Sequence, residues 1–259
     1  MRNNYYLILA LAFFIIFINY SFVDSLLIET FEEEYETGIV ERVVDGDTVV
    51  LRTTKYDVSG IMYNVTEKIR MLGINSPESG EVGYDEAKEF LIREIEGKEV
   101  ILKFGKNKFD RYKRKLAYVF LGNKNVNLES VQRGCSSFYF PSGKDKYYSL
   151  FLDAWENCLI NEFGICEESL EDCVVLKDWE YDNDLVILEN VCPHSIDLTG
   201  WSVKDEGRKK YIFSNKTLRE FSEISLTSFD WGEDYVWTKS GDSIFIRDDE
   251  NKLVSWKTY

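Results

Sequence analysis

The pattern of hydrophobic and polar residues divides the chain into a first part of mixed periodicity and a second part of short strands. Residues 38–44 and 48–53 are rich in β-branched side chains and flank an Asp-Gly-Asp turn, which is typical of a β-hairpin. Residues 65–72 alternate between two faces and predict a third strand. These strands open the predicted fold.

Five further segments complete the first part. Apolar residues at helical spacing predict helices over 84–95, 126–133 and 146–160, and residues 98–104 and 116–121 predict strands. Five strands of this length can close into a small barrel with the helices packed outside it. We therefore predict a barrel region over residues 38–166.

The acidic segment Glu167 to Asp172 precedes a region in which the helical signal is absent. About seven short strands with turn residues between them predict a β-sandwich over residues 172–259, the C-terminal region. The predicted strands are Leu185–Leu188, Trp201–Val203, Tyr211–Phe213, Ile224–Leu226, Tyr235–Thr238, Ser243–Ile246 and Leu253–Trp256. The predicted fold class is therefore mostly β with helices.

The N-terminal sequence predicts a targeting segment. Arg2 precedes an apolar run of 12 residues, Leu7 to Ile18, which suits a signal peptide better than a full membrane span. An uncleaved anchor from about Tyr5 to Val23 is the alternative. We expect a signal peptide or membrane anchor over residues 1–25 and an acidic linker over 26–37. The protein would be secreted or cell-surface, touching the membrane only through this segment.

Cysteine content agrees with export. The chain has five cysteines and no Cys-x-x-Cys pair, so one or two disulfides are expected rather than a zinc site. Their connectivity does not follow from the sequence.

The charge is unevenly spread along the chain. The net charge of −15 argues against indiscriminate nucleic-acid binding. Residues 38–166 carry 19 basic and 19 acidic side chains, whereas residues 167–259 carry a net charge of −10. Seven basic residues between Lys103 and Lys115 oppose the single acid Asp110. Such a run is either a solvated edge or a phosphate-facing patch.

Oxygen-bearing side chains stand at two predicted strand ends. Asp47 begins a strand, and Asn75 and Glu78 follow the end of another. Hard cations such as Ca²⁺ take six to eight oxygen ligands, so these side chains would need water and substrate to complete the shell. The alternative is ordinary turn chemistry.

Two arginines are candidate phosphate ligands. The guanidinium group stays ionised and presents a fork that matches phosphate oxygens. Arg70 lies in a mostly apolar strand, and the alternative for it is an internal ion pair with an acid such as Glu78. Arg114 lies in the basic run, where a surface role is the alternative.

Three ordered motifs resemble the staphylococcal nuclease (thermonuclease) family: VDGDT at residues 44–48, RMLGINSPE at 70–78 and DRYKRKLAY at 110–118. The resemblance covers about residues 38–166. It implies an OB-fold barrel, a phosphodiesterase of the endonuclease type that cleaves DNA and RNA, and Ca²⁺ as the cofactor.

The resemblance also assigns roles to nine positions. Asn75 falls where the family has an aspartate, so one negative charge is missing from the implied metal site. The implied metal ligands are Asp47, Asn75 and the Ser76 backbone carbonyl. The implied catalytic groups are Glu78 at the attacking water and Arg70 and Arg114 at the phosphate. The implied substrate contacts are Arg111, Tyr112 and Tyr139.

The C-terminal region resembles a lamin-tail domain, an immunoglobulin-like sandwich. Leu198 to Trp201 and Gly241 to Ile246 carry this resemblance. Its net negative charge makes it a poor DNA clamp, so a protein or cell-surface partner is expected for it. Overall, we expect an exported Ca²⁺-dependent nuclease acting on DNA and/or RNA. The alternatives are a non-cleaving nucleic-acid-binding OB-fold module and a structural surface protein whose sandwich is the working part.

Overall fold

The computed structural model describes residues 35–259. The predicted signal peptide or anchor and residues 26–34 of the predicted linker lie outside the described residues. Residues 36–259 form one compact unit. A membrane-spanning helix is not found in the described part of the chain, where every helix is too short or too polar.

The elements of the barrel region follow the predicted order, with three additional short strands. They are β1 (Tyr35–Asp45), β2 (Thr48–Tyr56), β3 (Met62–Met71), β4 (Gly73–Asn75), α1 (Tyr84–Ile95), β5 (Glu99–Phe109), β6 (Lys115–Leu121), β7 (Lys124–Asn125), α2 (Val126–Gln132), β8 (Ser137–Tyr139) and α3 (Tyr148–Asn161).

Five of these strands close into the predicted OB-like barrel. The hydrogen-bonded order is β3-β2-β1-β5-β6, and a parallel pairing of β3 with β6 completes the ring. Alternating side chains such as Val49 and Leu51 on β2 point inward and are fully buried. The small strands β4 and β8 pair with each other, which brings Asn75 opposite Ser137.

The C-terminal region is built from strands with one short α-helix and a 3₁₀ turn at Tyr181–Asn183. Its elements are β9 (Val174–Glu180), β10 (Leu185–Asn190), β11 (Ile196–Asp197), β12 (Ser202–Lys204), β13 (Lys210–Ile212), β14 (Thr217–Leu218), β15 (Glu223–Leu226), α4 (Ser228–Trp231), β16 (Ser243–Arg247) and β17 (Leu253–Thr258).

Two details of the prediction for the C-terminal region are wrong. Residues Tyr235–Thr238 form no strand, because the amides of Val236 and Trp237 donate to the Asp184 side chain instead of a neighbouring strand. Helix α4 also appears where the helical signal was absent, and it is begun by a capping box between Thr227 and Asp230.

The four-stranded sheet β13-β12-β16-β17 is buried on both faces near its centre. Ile244 and Ile246 point into a core shared with β10, whereas Phe245 between them points into the core of the barrel region. There Phe245 meets Trp155 of α3, with ring centres 5.5 Å apart. The C-terminal region is thus packed directly against the barrel region.

Two disulfides are present, in agreement with the expected number. Cys158 pairs with Cys166 and Cys173 pairs with Cys192. Cys135 is the free and buried cysteine of the described residues.

Candidate functional site

The β1–β2 turn is pressed against the segment that follows β4. A Cβ atom on Gly46 would lie 2.6 Å from the Ala87 Cβ and 2.7 Å from the Ser76 Cβ, so this close approach requires glycine. Asp47 follows in the turn, and its carbonyl accepts from the Met71 amide at 2.8 Å. The turn therefore places the buried Asp47 carboxylate between β3 and Ser76.

Arg70 is held by an internal ion pair, as one of the sequence-based alternatives proposed. Its partner is Asp47, with Nη2 to Oδ2 at 3.0 Å, rather than Glu78. Arg70 Nη1 also donates to the carbonyls of Met71 and Ile74 at 2.6 and 2.9 Å. Because Arg70 is 7% exposed and its guanidinium is bound from several sides, the position of the group is set by the barrel itself.

Both polar atoms of the Asn75 side-chain amide form hydrogen bonds. Its Oδ1 accepts from Arg70 Nη2 at 3.4 Å. Its Nδ2 donates to the backbone carbonyls of Glu206 and Gly207, at 3.2 and 2.9 Å. Those carbonyls belong to the loop between β12 and β13 (residues 205–209), so the C-terminal region reaches the predicted site.

Ser76 and Glu78 differ in their exposure to solvent. The buried Ser76 donates its amide to Asp47 Oδ2 at 3.3 Å. The Glu78 side chain is 54% exposed, and its Oε1 lies 2.8 Å from Nη2 of Arg208 in the β12–β13 loop. The predicted water-activating carboxylate is therefore open to solvent but carries a cationic partner from the C-terminal region.

Arg114 is oriented by a tight loop before β6. The Asp110 carboxylate accepts from the Arg114 amide at 2.9 Å and from its Nε at 2.7 Å. Lys115, the next residue, is opposite Ile69 in the β3–β6 pairing. Arg114 thus lies at the end of the barrel near Arg70, but no direct contact joins the two guanidinium groups within the described residues.

The three predicted substrate contacts lie on two elements. Arg111 and Arg114 both stack on the Tyr112 ring, at 4.8 and 5.6 Å from its centre. Tyr139 lies on β8 opposite Gly73, and burial, followed by the nearby Asp205 carboxylate, raises the pKa of its hydroxyl. Tyr112 is exposed and available to a ligand, whereas Tyr139 faces the C-terminal region.

Sequence reasoning missed the residues that the C-terminal region adds to the site. Asp205 and Glu206 are buried here, and burial, followed by the charge of Asp242, raises their pKa values to about 7 and about 8. Arg208 contacts Glu78 as described above. No local signal marks these residues, because Asp-Glu-Gly-Arg between two short strands is ordinary turn composition.

The predicted metal ligands at the β1–β2 turn are oxygen donors, the type that a hard cation such as Ca²⁺ takes. Asp47 Oδ2 and Asn75 Oδ1 lie 3.0 and 3.4 Å from the same nitrogen of Arg70, so the guanidinium holds these two predicted ligands together. Burial and the charge of Asp47 raise the pKa of Asp45, a sign of crowded acids at this turn. The donors are all oxygens, and water or substrate would complete the shell.

Comparison with known proteins finds the same family. Residues 68–161 match the family model of the staphylococcal nuclease homologues. A thermonuclease of Staphylococcus intermedius is 28% identical over 138 residues, covering 51% of this chain and 77% of that protein. A thermonuclease of Staphylococcus hyicus is 33% identical over 117 residues, covering 42% and 64%. An uncharacterized protein of Methanocaldococcus jannaschii is 33% identical over 168 residues, covering 53% and 73%.

The matched segment runs from β3 to the end of α3. It contains Arg70, the segment from Asn75 to Glu78, and Arg114, and the closed five-stranded barrel agrees with it. The closed barrel, the family match and the similarity to two thermonucleases together show that residues 68–161 carry a staphylococcal nuclease homologue domain.

Proposed function

We propose that this chain is a nuclease that hydrolyses phosphodiester bonds of DNA and/or RNA, of the endonuclease type. The observation that carries the proposal is the Arg70 guanidinium, which is fixed by its ion pair with Asp47. Asp47 also accepts from the Ser76 amide, and the exposed Glu78 follows Ser76 by two residues. This arrangement lies in a segment similar to proteins named thermonucleases.

Each residue has a chemical task in the proposed reaction. Glu78 accepts a proton from the water that attacks phosphorus, a contribution of about 10²–10⁴-fold to the rate. Arg114 and Arg70 would donate hydrogen bonds to the phosphate oxygens, where negative charge builds up as the leaving P–O bond breaks. Arg70 would donate through its Nε, because both of its Nη groups are bonded within the protein. Arg111 and Tyr112 would contact the neighbouring nucleotide.

Calcium is the proposed cofactor, held by Asp47, Asn75 and the Ser76 carbonyl. When bound, Ca²⁺ would supply positive charge to the phosphate oxygens. Because Asn75 is neutral, this site carries one negative charge fewer than a pair of carboxylates would provide. We therefore expect weaker Ca²⁺ binding than two carboxylates would give.

Export and a non-catalytic C-terminal region are further parts of the proposal. The apolar run near the N-terminus and the two disulfides support a secreted or cell-surface location. The C-terminal region would be a lamin-tail-like sandwich, supported by its three-stranded and four-stranded sheets, whose buried side chains share one core. Its net negative charge favours a protein or cell-surface partner.

The purified protein should be tested on plasmid DNA, single-stranded DNA and RNA, each with Ca²⁺, with Mg²⁺ and with chelator. We expect cleavage that requires Ca²⁺ and is lost in Glu78→Gln, with Glu233→Gln as an exposed control. Cleavage that persists in Glu78→Gln would remove the assigned role of Glu78.

A second candidate function is a nucleic-acid-binding module that does not cleave. The β12–β13 loop favours it, because this loop occupies the Asn75 amide and pairs with Glu78. Salt-sensitive binding to the same substrates without any cleavage would support this candidate.

A further inference from the structure

A cavity lies between the segment that follows β4 and one face of the β13-β12-β16 sheet. Its volume is about 40 Å³. That is room for about three water-sized groups, the scale of the oxygens of one phosphate rather than of a base or sugar. Asn75 and Pro77 form part of its wall, which places the cavity directly beside Ser76 and Glu78.

Three basic residues of the C-terminal region line the opposite wall: Lys204, Lys210 and Arg247. Lys204 lies directly opposite Lys210 in the β12–β13 register, and Arg247 lies opposite Ser202, two residues before Lys204. The three side chains therefore share one face of the sheet. Like charges directly opposite each other destabilise a sheet, so this clustering needs a compensating anion.

The protein supplies only part of that compensation. Glu81 pairs with Lys210 at 3.0 Å, and Arg247 Nη1 donates to the Asn251 carbonyl at 2.9 Å. Among the described residues, the Lys204 ammonium has neither a hydrogen-bond nor an ion-pair partner, although the carboxylates of Glu81 and Asp205 lie in its vicinity. Burial lowers the pKa of Lys204 and lowers that of Arg247 to about 10.

The cluster of three basic residues contrasts with the acidic composition of the C-terminal region. Residues 167–259 carry a net charge of −10, yet three of their cations are gathered at the contact with the barrel region, beside the predicted catalytic segment. Partly buried cations are retained where they are paired or bind a ligand, because leaving such a charge unpaired is unfavourable.

We propose that this cavity is a phosphate-binding subsite, built by the C-terminal region, that holds a phosphate next to the one being cleaved. Lys204 would be its central ligand, with Lys210 and Arg247 beside it. That the cavity binds phosphate is argued from the cavity alone. That this phosphate belongs to a nucleic-acid strand rests on the proposed nuclease function. Free inorganic phosphate offers the same acceptor oxygens.

The phosphate chemistry can be tested without any measurement of cleavage. The full chain, Lys204→Met, Lys204→Arg and the exposed-lysine control Lys216→Met would be melted with chelator at constant ionic strength, with chloride or inorganic phosphate. Phosphate should raise the Tm of the parent, Lys204→Arg and Lys216→Met, but not that of Lys204→Met. In chloride, Lys204→Met should be at least as stable as the parent, because an unpaired charge is removed.

Equal responses of Lys204→Met and Lys216→Met to phosphate would overturn the proposal, since the anion would then bind elsewhere or not at all. If Lys204→Met folds poorly, Lys204→Arg still tests the proposal. Because this variant keeps the charge, phosphate should raise its Tm as it raises that of the parent, and an unchanged Tm in phosphate would overturn the proposal.

The source of the phosphate is tested in a Glu78→Gln background with a short single-stranded oligonucleotide. Lys204→Met should weaken its binding about ten-fold or more, and Lys216→Met should not. Unchanged oligonucleotide affinity would overturn the strand-binding part. If the parent never cleaves but the Lys204 effect is found, the proposed nuclease function fails while the subsite stands.

Discussion

Asn75 is bound by the C-terminal region at the position where the resembling family has an aspartate. Its Nδ2 donates to two backbone carbonyls of the β12–β13 loop, and both donor and acceptors are buried. A carboxylate in the same place would face those carbonyl oxygens without a proton to share. The hydrogen bonds to this loop therefore explain an asparagine at position 75 without reference to metal binding.

We expect Asn75→Asp to lower the free energy of unfolding by about 1–3 kcal/mol in chelator, because two buried acceptors lose their donor. Chemical denaturation would measure this, with Asn123→Asp on an exposed turn as the matched control. If Asn75→Asp is as stable as the parent without metal, the amide contacts do not matter in this way.

Arg70 is predicted to support the fold as well as the chemistry. It is buried with Asp47, so removing it leaves an uncompensated buried carboxylate. Arg70→Met should lower the free energy of unfolding by about 3–5 kcal/mol, and Arg70→Lys by less, because the charge remains. A Met variant that melts at the parental temperature would show that the ion pair contributes little.

At the scale of elements, the β12–β13 loop makes the stability of the folded chain depend on pH. Burial raises the pKa of Glu206 from 4.5 to about 8, so this carboxyl holds a proton in the folded chain at pH values where the unfolded chain has released it. Its favourable contribution is present below the unfolded pKa and is lost as the pH rises through the folded one.

Stability measured in chelator should therefore fall between about pH 5 and pH 8. Glu206→Gln should remove about 1–3 kcal/mol of that fall, because its side chain does not ionise. Denaturation curves across this window would measure the slope for the parent, for Glu206→Gln and for the exposed control Glu233→Gln. The same slope in all three would rule out Glu206 as its source.

At the scale of the whole molecule, the two regions depend on each other. Phe138 and Trp155 of the barrel region are fully buried, and both contact Trp256 of β17, with ring centres 6.0 and 6.2 Å away. Phe245 and Leu253 also belong to the barrel-region core. The domain boundaries at residues 166 and 172 stay a prediction. The shared packing indicates that the stability of the barrel region depends on the C-terminal region.

A chain that ends at residue 166 should be strongly destabilised, because several large apolar side chains lose contacts worth about 1.5–3 kcal/mol each when fully buried. Thermal melting followed by near-ultraviolet circular dichroism would show this as a lost or lowered transition. A truncated chain that melts cooperatively at the parental temperature would contradict the mutual dependence.

Much of the barrel could be predicted from local patterns. Strands β1 to β3 and helix α1 lie where alternation and helical spacing predicted them, because side-chain periodicity records which face of an element is buried. The hairpin at Asp45 to Asp47 also followed from local turn chemistry, and with it the position of Asp47 at the end of the barrel.

Other features are decided only by contacts between residues far apart in the chain. Arg70 had a predicted acidic partner, but its identity as Asp47 depends on strand pairing rather than on sequence distance. The contacts of Asn75 with the β12–β13 loop join residues more than 130 positions apart. The composition of that loop shows only a turn, since nothing local records which surface it will meet.

The local sequence therefore determined the elements and the candidate chemistry of one barrel, because periodicity and turn preference act over a few residues. The tertiary structure alone decided that the C-terminal region lies against the candidate site and places Lys204 and Arg208 beside it. The physical reason is that the packing of Phe245 and Trp256 onto Trp155 sets this arrangement, and such packing is a property of two assembled surfaces.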